Sequence, residues 1–500
     1  MNITATGGKI MNNIMVNEMR LCDELGRERI FNGINLVHKG IDNADKSAKT
    51  YNPEWTEETI AGLAKRGFNI VRLGLIWEAI EPECGVFCEE YLAKMEGYAD
   101  LLGKYGIYFL LDFHQDLYSA RYSDGAPDWA TVSDSYKFHE PKIIWAEGYF
   151  LSKAVHRACD NFWDNTKVNG KGLQEHYCDM LKYTVQRFCQ KPGYLGVDIM
   201  NEPFPGTAGG TIFRKIVGGA VYTVLFSGKI KKVDTLKKMI KGDAVPEALS
   251  VIDGDVMDSV TRSSEPLVRE FDTKKYYPFL KKAAAAVREV TDNGCVIMEN
   301  CYYSNIGIPC FTPVIKYDNG EREKNLVFAP HAYGLTVDSS YTNTSNDATV
   351  DYFFGQHRDT QERLEVPVIV GEWGGMVPGS DDYPNLEYLL DLFDKNHWSQ
   401  TYWTYSERLK DSKIMDILAR PYPQAVAGKI ISYGFDRKAG KFTLEYQSDS
   451  SCGGLTEIFL PREPVSVQTT AEYSVDSNEN GTFTLKAGAA DGKIVIEVEI

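Results

Sequence analysis

Gly196-Val-Asp-Ile-Met-Asn-Glu-Pro-Phe204 and Val366-Pro-Val-Ile-Val-Gly-Glu-Trp-Gly-Gly375 are the two stretches on which the reading of the chain turns. Each is a run of β-branched and apolar residues, the composition of a buried strand. Each ends on a carboxylate, Glu202 or Glu372, and then breaks at Pro203 or at Gly374-Gly375. One strand-end glutamate is as ordinary as any solvated loop residue. Two of them at the carboxyl ends of parallel strands supply what glycoside hydrolysis needs: one carboxyl protonates the leaving oxygen, and the other attacks or orients water.

Outward from these stretches, between Phe31 and Tyr405, apolar strand-like runs alternate with longer amphipathic segments, the signature of βα units around a parallel sheet. The runs are 31–38, 68–77, 106–114, 194–202, 295–300, 326–331, 366–372 and 397–405. That succession fits a (β/α)8 TIM barrel, an α/β fold whose working residues lie at the carboxyl ends of its strands. The ends read His38-Lys39, His114-Gln-Asp116, Asn201-Glu202, Glu299-Asn300, His331 with Tyr333, Glu372-Trp373 and Trp403 with Tyr405; Arg72 lies in mid-run. Polar and aromatic residues at nearly every end are hard to explain as packing. The strand interiors are apolar, as a filled barrel requires. Helices are predicted after Asn52-Pro53, with Ile60, Leu63 and Ala64 turned inward, and across 89–105.

The rest of the chain divides by composition. Residues 1–30 read as a lead-in, 31–430 as the barrel, and 431–500 as a small C-terminal antiparallel β-sandwich of alternating strands with Asn480-Gly481 and Asp491-Gly492 turns. Insertions are expected near 117–190, with Trp129, Trp145 and Trp163, and near 205–290. The second joins an apolar stretch, 212–226, to a basic run through Lys229, Lys231, Lys232, Lys237, Lys238 and Lys241. In one reading this helix packs on the barrel with its lysines solvated. In the other, 212–241 is a lip that presents an apolar face to a lipid tail or membrane surface.

Composition excludes other classes. A net charge of −16 over 500 residues leaves no basic excess to neutralise phosphates, so no nucleic-acid partner is expected. Hydrophobic residues make up 43% of the chain, enough for a sizeable core. No apolar run reaches the ~18 residues of a membrane span. Ten cysteines form no CxxC pair, and Cys84 and Cys88 lack a neighbouring His to complete a zinc set. The N-terminal residues show no basic segment followed by an apolar run, so a cytoplasmic protein with reduced thiols is the expectation.

The proposed chemistry assigns a need to each residue. Glu202 must begin the cycle protonated, so burial and the second carboxylate should raise its pKa. Asn201 beside it suits a hydrogen bond to a sugar 2-hydroxyl. Glu372 must be ionised and needs donors, for which Arg72 and Tyr333 are candidates. His331 is a candidate donor to Glu202 or to substrate, against the ordinary alternative of a structural histidine. Lys39, His114 and Asp116 suit sugar hydroxyls, and Trp403 a stacking floor. His114 and Asp116 have no evident third ligand, and two-carboxylate hydrolysis needs none, so neither metal nor other cofactor is expected.

The Asn-Glu-Pro and Glu-Trp-Gly strand ends resemble glycoside hydrolase family 5, a retaining (β/α)8 family with catalytic glutamates on strands four and seven. More specifically, Asp112-Phe-His-Gln-Asp-Leu-Tyr-Ser119, Gly125-Ala-Pro-Asp-Trp129, Asn201-Glu-Pro-Phe-Pro-Gly206 and Arg420-Pro-Tyr-Pro-Gln-Ala-Val-Ala-Gly428 are similar to the endoglycoceramidase and glycosylceramidase group. The resemblance implies Glu202 as acid/base, Glu372 as nucleophile, His114, Asp116, Asn201, His331, Tyr333 and Trp403 around the sugar, and an apolar slot for ceramide. It implies hydrolysis of the sugar–ceramide bond of glycosphingolipids. It also raises secretion as the alternative location. The rival activity is a β-glucosidase or endoglucanase on soluble, aryl or steryl glucosides, and a non-catalytic glycolipid-binding protein is a third reading. Oligomeric state is not legible in the sequence.

Overall fold

The computed structural model describes residues 11–42, 49–142, 144–226, 254–334, 337, 347–380 and 383–500. Eight parallel strands form the central sheet: β1 Asn32–Leu36, β2 Ile70–Ile76, β3 Tyr108–His114, β4 Tyr194–Asp198, β5 Cys295–Met298, β6 Leu326–Phe328, β7 Ile369–Val370 and β8 Ser399–Tyr402. Their order is β6-β5-β4-β3-β2-β1-β8-β7. A parallel bridge from Phe328 to Val368 joins β6 to β7 and closes the ring. The same two strands pair again at the mouth, where His331 lies opposite Glu372 and Ala332 opposite Trp373. All eight expected strands are present.

Strand periodicity explains the barrel's inside. Side chains alternate across a strand, so every second residue faces the interior. At the amino-terminal end those positions are apolar: Phe31, Ile70, Leu110, Leu195, Ile297 and Ile369 belong to one buried cluster. Two residues further along β2, β3 and β5 the same register carries Arg72, Asp112 and Glu299, all buried. An apolar floor thus supports a polar ceiling. The outward positions of β2, Val71, Leu73 and Leu75, join the larger core beneath the helices.

Those helices have ordinary local causes. Helix α1, Glu57–Lys65, starts at a reciprocal capping box between Thr56 and Thr59 and buries Ile60 and Leu63. Helix α2, Glu89–Lys104, and α3, Leu173–Phe188, cover neighbouring strands. The insertion expected over 117–190 therefore ends sooner, because 173–188 is the barrel helix that follows β3. Helix α4, Thr207–Phe226, opens the second insertion. It is anchored at its start by Asp160, which accepts from the Thr207 backbone N at 2.9 Å. Gly206 makes this approach possible: its φ is +59°, and a Cβ there would collide with Asp160. Lys229 to Lys241 lie outside the described residues. Helix α5, Tyr277–Arg288, returns the chain to the barrel.

The domain boundaries differ from the sequence reading in two places. Strands Ile14–Asn17, Arg20–Asp23 and Glu28–Arg29 are not a lead-in. They form one edge of a seven-stranded sheet whose other members are Tyr422–Val426, Thr456–Leu460, Phe483–Ala487 and Tyr473–Ser477. The sandwich also begins at Tyr422, and the expected boundary at 431 falls inside strand Gly428–Asp436. Pairing between residues some 400 positions apart (Arg29 with Ala425) leaves no local trace in sequence. Ile14 and Leu21 pack into the barrel's apolar floor, so this hairpin plugs the amino-terminal end. Strands Gly428–Asp436, Lys441–Ser448, Gly492–Glu499 and Ser466–Thr469 form the opposing antiparallel sheet. Arg420 makes a buried, two-pronged ion pair with Asp394 of helix α6, Pro384–Asn396, at the junction with the barrel.

Candidate active site

The polar ceiling of the barrel converges on Arg72, which is fully buried. Its Nη1 donates to Glu372 Oε1 at 2.8 Å and to Asn35 Oδ1 at 3.1 Å. Its Nη2 lies 2.8 Å from each of Asp112 Oδ1, Asn201 Oδ1 and Glu299 Oε1, and its Nε donates to Asp198 Oδ2 at 3.1 Å. Every nitrogen is directed at protein. Arg72 is therefore a support beneath the site and not a substrate contact, because six side chains from five other strands and their ends enclose it.

Glu372 receives the Tyr333 hydroxyl on Oε2 at 2.6 Å. Burial alone would raise its pKa, but the charges of His331, Arg72 and His114, with the Tyr333 hydrogen bond, hold it down to about 2. Glu202 is placed differently. Its Oε1 accepts from Asn305 Nδ2 at 2.9 Å and faces His331 Nδ1 at 3.1 Å. Burial pushes its carboxyl up to about 7; the His331 hydrogen bond opposes this and the Glu372 charge adds to it. The two carboxyls lie on either side of His331, with oxygens within 4.8 Å of one another. One glutamate is thus kept ionised and the other protonated below neutral pH.

Glu202 adopts a left-handed backbone, φ +43°, which turns its side chain into the barrel mouth. That conformation costs roughly 1–2 kcal/mol for a residue with a Cβ. It is held by Glu299 Oε2, which accepts from the Glu202 backbone N at 2.7 Å, and by Gln115 Nε2, which donates to the carbonyls of Asn201 and Glu202 at 2.8 and 3.2 Å. Asn201 donates one amide hydrogen to the Gln115 carbonyl at 3.0 Å and keeps a second.

Beside this pair, Lys39, His114, Asp116 and Trp403 come together as expected. Lys39 Nζ is paired with Asp116 and lies 4.8 Å from the Trp403 ring centre. The His114 ring stacks on Trp403 at 5.2 Å. His114 Nδ1 faces Asp112 Oδ2 at 2.9 Å, leaving a buried Nε2 with no partner. Asp124, which the sequence reading passed over, joins them: His114, Asp116 and Asp124 each place a ligating atom within 4.8 Å of the others. A third potential ligand does exist, then, contrary to expectation. The Lys39 ammonium already pairs with this cluster, so it carries its own cation. Burial and the Asp116 charge push Asp124 up to about 6.

Glu299 and Asn305 were also missed as site residues. Glu299 carried a signal, since it ends a strand as Glu202 does. Asn305 lies in the short helical turn Tyr302–Ile306, where no periodicity marks it.

A string of aromatic rings leads from the mouth to helix α4. Trp145 is 5.9 Å from Lys39 Nζ and 6.0 Å from the Tyr149 ring. Tyr149 packs on Tyr302 at 4.7 Å, Tyr302 on Phe150 at 6.3 Å, and Phe150 stacks on Phe213 of α4 at 4.3 Å. At the outer end Leu151, Val217 and Tyr222 are exposed, at 49%, 44% and 64%.

Two differently tuned carboxyls with oxygens within 4.8 Å, at the carboxyl face of a (β/α)8 barrel, fit a retaining glycoside hydrolase, whose carboxyl groups stand about 5–5.5 Å apart. Comparison with known proteins gives the family. Residues 31–408 match the model of cellulase (glycosyl hydrolase family 5), and 420–500 match the glycoside hydrolase family 5 C-terminal domain. The chain belongs to glycoside hydrolase family 5. It is similar to an endoglycoceramidase of Hydra vulgaris, with 25% identity over 478 residues, covering 88% of this chain and 78% of the relative. Endoglycoceramidase I of Rhodococcus hoagii is 27% identical over 450 residues, covering 85% and 76%. Among solved structures, endo-glycoceramidase II from Rhodococcus sp. superposes with a TM-score of 0.72 at 24% identity, covering 96% of this chain and 98% of that one. The match beginning at 420 agrees with a sandwich that starts at Tyr422.

Proposed function

We propose that the protein hydrolyses the β-glycosidic bond between the sugar and ceramide of glycosphingolipids by double displacement. The observation that carries this is the adjacency of a tuned carboxyl pair and a string of aromatic rings that runs from the same barrel mouth to the exposed Val217 and Tyr222 of α4. In the first step Glu372 Oε attacks the anomeric carbon, the bond to the ceramide oxygen breaks, and Glu202 gives that oxygen its proton. The product is a glycosyl ester on Glu372. In the second step Glu202, now a carboxylate, takes a proton from water. The water oxygen bonds to the anomeric carbon, Glu372 leaves as carboxylate, and Glu202 has its proton back. Esterification removes the Glu372 charge that had raised the Glu202 pKa, which suits Glu202 to its turn as base.

The sugar is held by Lys39, Asp116, His114 and the remaining Asn201 amide hydrogen, over Trp403. Tyr333 and Arg72 serve Glu372 from within the protein. The strip from Trp145 to Tyr222 takes the aglycone. Moving lipid methylenes onto such a surface contributes about 0.8 kcal/mol each, a gain that a soluble glucoside has no use for. Two endoglycoceramidases are among the relatives that match most of this chain, which favours the same substrate. The exposed outer end of the strip suits transient contact with a micelle or bilayer surface.

Product analysis tests the reading. Purified protein is offered glucosylceramide, galactosylceramide, lactosylceramide and a ganglioside in detergent, beside an aryl glucoside and a soluble β-glucan. Release of an intact glycan with free ceramide is expected. Cleavage of the soluble glucosides alone would overturn the glycolipid reading and leave a β-glucosidase or endoglucanase.

A further inference from the structure

Glu299 is a buried carboxylate that lies against three parts of the catalytic apparatus. Its Oε1 is 2.8 Å from Arg72 Nη2 and 3.2 Å from His331 Nε2, and its Oε2 is 2.7 Å from the backbone N of Glu202. The Tyr276 hydroxyl donates to its carbonyl at 3.2 Å. From these contacts we infer that Glu299 is a positioning residue for proton transfer: it locks the left-handed turn that aims Glu202 and keeps His331 a permanent imidazolium beside it.

The chemistry requires something of this kind. His331 lies between Glu202 and Glu372, with Nδ1 at 3.1 and 3.6 Å from their carboxyl oxygens. A neutral imidazole there would compete with Glu202 for the proton drawn from water in the second step. Of the groups facing His331, Glu372 loses its charge on esterification and Glu202 alternates between forms. Asp198 is tied to Arg72, and His357, which contacts the His331 carbonyl at 3.1 Å, is held neutral by burial at a pKa of about 3. Glu299 is the carboxylate beside the ring that takes no part in either chemical step. In the free protein the imidazolium is favoured, burial working against it and the Glu299 and Glu372 charges outweighing burial; once Glu372 is esterified, Glu299 is the partner left to the ring on its Nε2 side. The backbone bond has a parallel effect, since a hydrogen bond to a charged acceptor is worth roughly twice a neutral one and offsets the strained φ.

This inference rests on Glu202 being the acid. Failure of that assignment would show separately, as a Glu202→Gln variant with an undiminished rate on poor leaving groups. Two measurements test the role of Glu299 itself. In wild-type protein carrying isotope-labelled histidine, the nitrogen resonances of His331 should report both ring nitrogens protonated across neutral pH. In Glu299→Gln the ring should lose a proton within that range. The kcat/KM of alkyl and weakly activated aryl glycosides, which reports the acid-assisted first step, should fall at least about 10-fold, while the kcat/KM of a dinitrophenyl glycoside, whose departure needs no acid, should fall much less. A merely structural defect would lower both substrates alike. A singly protonated His331 in the wild type at neutral pH would overturn the inference, as would a folded Glu299→Gln variant with wild-type leaving-group dependence.

Discussion

Tyr333 donates its hydroxyl to Glu372 Oε2 at 2.6 Å, and this bond joins the β6 side of the barrel mouth to the residue that ends β7. It lies beside the short mouth sheet in which His331 pairs with Glu372. The residue that must be ionised is held by neighbours whose register follows from the barrel's closure. A hydrogen bond to a charged group contributes about 1.5–3 kcal/mol. Tyr333→Phe should therefore lower kcat/KM about 10-fold or more. It should also move the acidic limb of the pH profile upward, since Glu372 loses one of the groups that depress its pKa. A pH–rate series on an aryl glycoside measures both effects.

Arg72→Met should be more damaging to the fold than to substrate affinity. It would leave Asp112, Asp198, Glu299 and Glu372 without their common cation. Breaking a buried pair costs about 3–5 kcal/mol. The midpoint of urea denaturation is expected to fall by a corresponding amount, and KM, where activity survives, to change little.

The alkaline side of the profile belongs to Glu202. Its carboxyl is raised to about 7, so kcat/KM should decline as pH rises through neutrality, and Glu202→Gln should abolish that limb along with most activity. Stability follows the same proton. The folded state binds it more tightly than the unfolded chain, so this group's contribution is fully present below about pH 4.5 and is lost as pH rises through 7. Thermal melts at pH 5 and pH 8 should therefore differ less for Glu202→Gln than for the wild type.

The apolar strip makes a prediction that separates lipid from sugar. Val217→Asp with Tyr222→Ser places polar groups on exposed positions of α4. Turnover of lactosylceramide in detergent should fall several-fold through KM, with hydrolysis of a soluble aryl glycoside unaffected. Equal losses on both substrates would argue that the strip serves the fold.

The barrel was legible because its strands are apolar runs that end in polar residues, and periodicity of that kind is local. Glu202, Glu372, His331 and Tyr333 announced themselves by such ends. Arg72 did not reveal its burial: its partners lie on five other strand ends, and sequence shows a residue's type without the company it keeps. Asp124 and Asn305 sit in loops where no period marks them. The N-terminal hairpin pairs with strands hundreds of residues away, and its short alternating segments gave no sign that their partners were in the sandwich. The segment 229–241, whose lysines stood out from an acidic background, lies outside the described residues.

The central claim is that Glu372 is the nucleophile and Glu202 its acid. Its most direct test is to inactivate the protein with a 2-deoxy-2-fluoro glycosyl fluoride of the sugar it accepts, digest it and find the labelled peptide by mass spectrometry. The geometry predicts a single covalent adduct on the peptide containing Glu372, formed in the wild type and absent from Glu372→Gln. Label on Glu202 or Glu299 would contradict the assignment, and steady hydrolysis with inversion at the anomeric carbon and no adduct would contradict the mechanism.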